Sequence, residues 1–119
     1  MRPKEGDPAR IWDMLQAAQS ILEFIQGLSV NQFQDDARTR LAVERGFEII
    51  GEAARRLSED FRAEHPEVPW KDIVALRNVI SHQYDKVHHE TLYLLAVERL
   101  PTLVEQLKRL SPDSDAADQ

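Results

Sequence analysis

The chain has 119 residues, 42% hydrophobic and 30% charged, with no cysteine and a formal net charge of −6. That length holds one domain with one core, and the balance is that of a soluble globular chain. Disulfides, thiolate nucleophiles and thiolate metal sites are excluded together, and the acidic charge argues against bulk attraction to nucleic acid or an anionic membrane, so any polyanion would have to be met by a few placed residues.

Asp7-Pro8 predicts a helix start, with a side-chain acceptor at the N-cap and proline where its missing N–H is no loss. Ile11, Leu15, Ala18, Leu22 and Ile25 then recur at four-three spacing, and Gly27 closes a helix over about residues 8–26. Ser29 and Gln32 have capping-box spacing. They open a second, longer helical pattern in which Val43, Phe47, Ile50, Ala54, Leu57 and Phe61 alternate by four and three. Gly46 and Gly51 interrupt it, each costing about 1 kcal/mol relative to alanine, for which close packing of another helix is one compensation and simple tolerance the other. Asp35, Asp36, Glu48, Glu59 and Asp60 read as polar faces of this helix; Glu52 fits either a polar face or a cleft.

Pro66 and Pro69 mark a loop into a third helix, whose Trp70, Ile73, Leu76 and Ile80 share a face. A fourth helix is expected from about His89 to Leu110, on the stripe Tyr93, Val97, Leu100, Val104 and Leu107, with a kink at Pro101. Leu92, Leu95, Ala96, Leu103 and Leu110 widen its apolar face so far that it should be covered on two sides, and self-association through a symmetric dimer is the expected solution. The fold class is therefore all-α, a dimeric four-helix up-and-down bundle in a single domain over 1–119. Residues 1–7 form a short lead and 111–119 a disordered acidic tail. No apolar run reaches the ~20 residues of a membrane span. The first residues, Met1 to Pro8, lack a signal peptide's apolar region, so a cytoplasmic location is expected.

The third helix carries the chain's densest chemistry near its end: Arg77-Asn-Val-Ile-Ser-His-Gln-Tyr84. Asn78 and His82 share a helical face, as do Arg77 and Ser81. Arg77 and His82 are five apart, about 140° around an ideal helix, so they converge only if the helix ends near His82 or if the partners come from two chains. RNA is cut without a metal when a base takes the 2′-hydroxyl proton, an acid protonates the leaving oxygen and a cation stabilises the phosphorane charge. Histidine exchanges protons near neutral pH and arginine holds phosphate oxygens in a fork. One His82 fills only one proton-transfer role, so two copies in one cleft would complete the set. The plainer readings are an arginine and a histidine favoured at a helix C-terminus by its dipole, and Tyr84 as a half-buried anchor. No metal site or cofactor is expected; His65, His88 and His89 read as solvated surface.

Arg77, His82 and Tyr84 stand in the Arg-x4-His-x-Tyr spacing of the HEPN superfamily, in its HepT-like branch of bacterial and archaeal toxins. Phe47-Glu-Ile-Ile-Gly-Glu-Ala-Ala54 resembles that branch's second-helix signature, and Val68-Pro-Trp-Lys-Asp-Ile73 resembles the lead into its motif helix. The likeness covers about residues 9–110. It implies a homodimer whose two motifs share a cleft, with RNA as substrate and metal-independent cleavage. It makes Arg77 and His82 the catalytic pair with Asn78 and Ser81 in support. It also implies a minimal nucleotidyltransferase (MNT-type) antitoxin, in a type VII toxin–antitoxin pair, that transfers AMP to Tyr84, with a larger hetero-oligomer open. The alternative is a HEPN-fold module that binds nucleotide or docks the nucleotidyltransferase without cutting RNA.

Overall fold

The computed structural model describes residues 2–81 and 86–111, with the side chains of residues 77–81 and 86–87 outside the description. Six helices follow in order: α1 (Gly6–Ile25), α2 (Val30–Asp35), α3 (Ala37–Arg55), α4 (Glu59–Glu64), α5 (Trp70–Ser81) and α6 (Lys86–Leu110). Among the described residues there is no strand. The four long helices make the bundle: α3 packs on α1 and on α5, and α6 packs on α1, with α2 bridging α3 and α6.

Local chemistry accounts for the boundaries. Gln26 (φ −56, ψ 124) and Gly27 (φ +80) form a type II turn closed by the Leu28 N–H donating to Ile25 O at 3.0 Å. That turn requires positive φ at its third residue, which glycine adopts without strain. The Ser29 capping box forms as expected: the Gln32 N–H donates to Ser29 Oγ at 3.1 Å and the Ser29 N–H to Gln32 Oε1 at 2.8 Å. Asp7 differs from expectation. The N-cap is Glu5, with no side-chain cap bond, and Asp7 lies in the first turn. Its carboxylate instead accepts the Ser58 N–H at 2.9 Å and the Ser58 hydroxyl at 2.7 Å, tying the start of α1 to the start of α4. Pro8 fits regardless, because first-turn N–H groups have no helical partner.

The single second helix read from the sequence is three. Asp36 caps α3, accepting from the Thr39 N–H at 3.1 Å and from Thr39 Oγ1 at 2.8 Å. Ser58 caps α4, accepting from the Phe61 N–H at 3.1 Å. The apolar stripe runs through these breaks: Phe33, Val43, Phe47, Ile50, Ala54 and Leu57 all join one core with Ile11, Met14 and Ile21 of α1. Gly46 permits the α1–α3 approach, since a Cβ there would lie 2.6 Å from Ile21 Cγ1. Each fully buried side chain such as Phe47 or Ile21 is worth ~1.5–3 kcal/mol, which outweighs the ~1 kcal/mol propensity cost of the glycine.

The fourth helix starts three residues earlier than expected and its core stripe is rotated. Leu92, Ala96, Leu100, Leu103 and Leu107 are buried, whereas Val97 is 45% exposed. Leu100, Val104 and Leu107 of the expected stripe are buried. Tyr93 is partly buried against Phe33, with its hydroxyl donating to Leu28 O at 2.6 Å. α6 runs through Pro101 as one element. Pro101 and Val97 both face solvent, where water can take the Val97 carbonyl that proline leaves without a donor. The expected tail beyond Ser111 lies outside the described residues. Among the described residues no helix is long and apolar enough to cross a membrane.

Candidate active site

α5 carries the first part of the motif, from Arg77 to Ser81. Its first turn is fixed from three directions. The Ile73 N–H donates to Pro69 O at 3.1 Å, which makes Pro69 the N-cap residue. Trp70, 7% exposed, donates its indole N–H to His65 O at 2.8 Å. Val68 and Ile73 are buried in the core beside it. A helix anchored so firmly at its start delivers its last two turns in a defined direction. Arg77, Asn78 and Ser81 occupy those turns, with Arg77 one turn beyond Ile73 and Ser81 one turn beyond Arg77. His82 and Tyr84 fall between α5 and α6 and lie outside the described residues.

The first turns of α6 adjoin the motif in sequence and hold a feature that the sequence reading placed wrongly. His88 is fully buried, not solvated. Its Nε2 lies 3.6 Å from Glu44 Oε1 of α3, and its ring stands edge-on to His89 at 5.9 Å. His65 and His89 are partly buried. The helix expected from the sequence begins at about His89, one residue past His88; the start of α6 at Lys86 brings His88 onto the stripe of Leu92 and Ala96. Among the described residues no three His, Cys, Asp or Glu side chains gather where they could hold a metal ion.

Glu52 lies on α3. Its carboxylate accepts from Arg55 at 2.8 and 3.3 Å and lies 3.3 Å from Arg56 Nε. The hydrogen bond and charge of Glu52 raise the pKa of the Arg55 guanidinium. The other feature missed by the sequence reading is a groove of about 760 Å³ between α5 and α6, floored in part by Phe47 of α3. Its lining is drawn from three separate stretches of chain, so no local pattern announces it.

The model of a family described as ribonuclease HepT-like matches residues 14–110. The chain belongs to the HepT-like ribonuclease family. This agrees with the resemblance read from the motif and its two flanking signatures. The chain is 34% identical to the "Probable ribonuclease HepT" of Thermococcus cleftensis over 82% of its own length and 89% of that protein's. It is 36% identical to a Methanocaldococcus jannaschii protein provisionally named an RNase, over 88% of this chain and 96% of that one. No solved structure gives a significant match.

Proposed function

We propose that this HepT-like chain is the toxin of a type VII toxin–antitoxin pair, acting in the cytoplasm as a metal-independent endoribonuclease. Its active site is composite, formed where two copies bring their motifs together. The observation that carries this reading is the Arg77-x4-His82-x-Tyr84 motif in a chain of the HepT-like family.

Arg77 holds the non-bridging phosphate oxygens and offsets the charge that builds on phosphorus. His82 of one copy accepts the proton from the 2′-hydroxyl as its oxygen bonds to phosphorus. His82 of the other copy gives a proton to the departing 5′-oxygen as the P–O5′ bond breaks. Asn78 and Ser81 support the pair from the same end of α5. AMP transfer to Tyr84 by a minimal nucleotidyltransferase places bulk and negative charge beside Arg77 and His82 and blocks the substrate phosphate. The chain's net charge of −6 suits a short-range site of this kind better than broad RNA binding.

The test of the chemistry is the product. Purified unmodified protein with EDTA should leave 2′,3′-cyclic phosphate and 5′-hydroxyl ends, and a single 2′-deoxynucleotide at the scissile position should block cleavage. Loss of cleavage in EDTA, or cleavage of the deoxy substrate, would contradict it. For the control step, coexpression with the nucleotidyltransferase should add whole AMP masses to the wild type and none to Tyr84→Phe.

A further inference from the structure

The groove between α5 and α6 has an apolar floor of Phe47, Ile73, Leu100 and Leu103, all buried at their sides, with Leu76 and Leu95 partly exposed above them. Its rim is charged and unbalanced: Glu67, Asp72 and Glu98 against Arg99. Among the described residues Asp72, Glu98 and Arg99 make no ion pair with one another or with a neighbour. Glu67 lies 3.7 Å from His65 Nδ1. One end of the groove is tied shut where the Gln106 amide donates to Glu67 O at 3.1 Å. From there the lining climbs α5 to Leu76 and α6 to Leu95, toward the end of the bundle where Ser81 and Lys86 lie.

We propose that this groove docks a basic amphipathic helix of a partner protein. Between Leu95 and Gln106 it offers roughly 16 Å along α6, the length of about three helical turns. The apolar floor takes side chains spaced three and four apart, and the acidic rim takes the lysines or arginines that flank them. The same rim repels phosphate, which separates this surface from an RNA-binding one. In a symmetric contact the rim would face its own surplus of carboxylates, which disfavours a second copy at this groove. The arrangement gives a protein partner a hold on the first turns of α5, the helix whose last turns carry Arg77, Asn78 and Ser81. The inference stands on the groove alone and goes beyond the ribonuclease reading, so its test needs no cleavage.

The probe is a fluorescein-labelled synthetic peptide of about four helical turns, with leucines three and four residues apart flanked by lysines. Its control carries glutamates in place of the lysines. Anisotropy titration with the full chain should give saturable binding of the lysine peptide, at least tenfold tighter than the glutamate peptide. Asp72→Asn combined with Glu98→Lys should weaken it at least tenfold; both positions are exposed, so folding is retained. Arg99→Glu should tighten it, a gain that misfolding cannot imitate. Equal binding of the two peptides, binding of neither, or indifference to these substitutions would overturn the proposal. So would competition by an RNA oligonucleotide, which would make the groove an RNA surface, or a change in sedimenting mass in the Asp72/Glu98 variant, which would make it a contact between copies.

Discussion

An alanine at Gly46 would place its methyl 2.6 Å from Ile21 Cγ1 and 2.7 Å from Ile21 Cδ1, and Ile21 is fully buried. The overpacking costs ~1–3 kcal/mol, and the better helix propensity returns at most ~1 kcal/mol. Gly46→Ala should therefore destabilise the chain by ~1 kcal/mol in urea unfolding. The loss should be smaller in an Ile21→Ala background, and additive losses would show that Ile21 is not what the methyl meets. The sequence flagged Gly46 as a place for close helix contact but could not say which helix, because that depends on the register between α1 and α3. Asp36 makes a second residue-scale prediction. Hydrogen bonds from the Thr39 hydroxyl and then the Thr39 N–H hold its carboxyl below the ordinary carboxylate pKa. A depressed folded pKa gives stability that is present above the unfolded value, near 4, and is lost as pH falls through the folded one. Thermal melts between about pH 2 and pH 5 should thus fall less steeply for Asp36→Asn than for the wild type. Parallel slopes would remove Asp36 as the source.

At the scale of elements, periodicity locates helices better than it separates them. The buried stripe from Phe33 to Leu57 carries on while the backbone turns at Asp36 and again between Arg55 and Glu59. The new starts are capped by Asp36 with Thr39 and by Ser58 with Phe61, signals that a continuous apolar pattern hides. α6 shows the converse difficulty. Two overlapping apolar stripes compete on one helix, and only packing against α1 and α2 selects Leu92 and Ala96 over Val97. Leu92→Ala should cost ~2–5 kcal/mol by leaving a cavity. Val97→Ala should stay within ~0.5 kcal/mol, as for an exposed position. Matched losses in chemical denaturation would mean that the stripe runs through Val97 after all.

At the scale of the whole molecule, the all-α bundle was legible because each long helix carries apolar residues at helical spacing, and because Gly27 and Pro69 mark the end of α1 and the start of α5. The motif was legible for a different reason: Arg77, His82 and Tyr84 lie within eight residues of one another, so their grouping needs no knowledge of the fold. What the sequence could not yield depends on distant segments meeting. The burial of His88 beside Glu44 and the groove between α5 and α6 are both of this kind. The central claim is that Arg77 and His82 perform the cleavage, and RNA cleavage by purified, unmodified wild type, Arg77→Ala and His82→Ala tests it most directly. The account predicts cleavage by the wild type and a loss of at least a hundredfold in each variant, in line with removing a proton-transfer or charge-stabilising group. Equal rates in all three would contradict it.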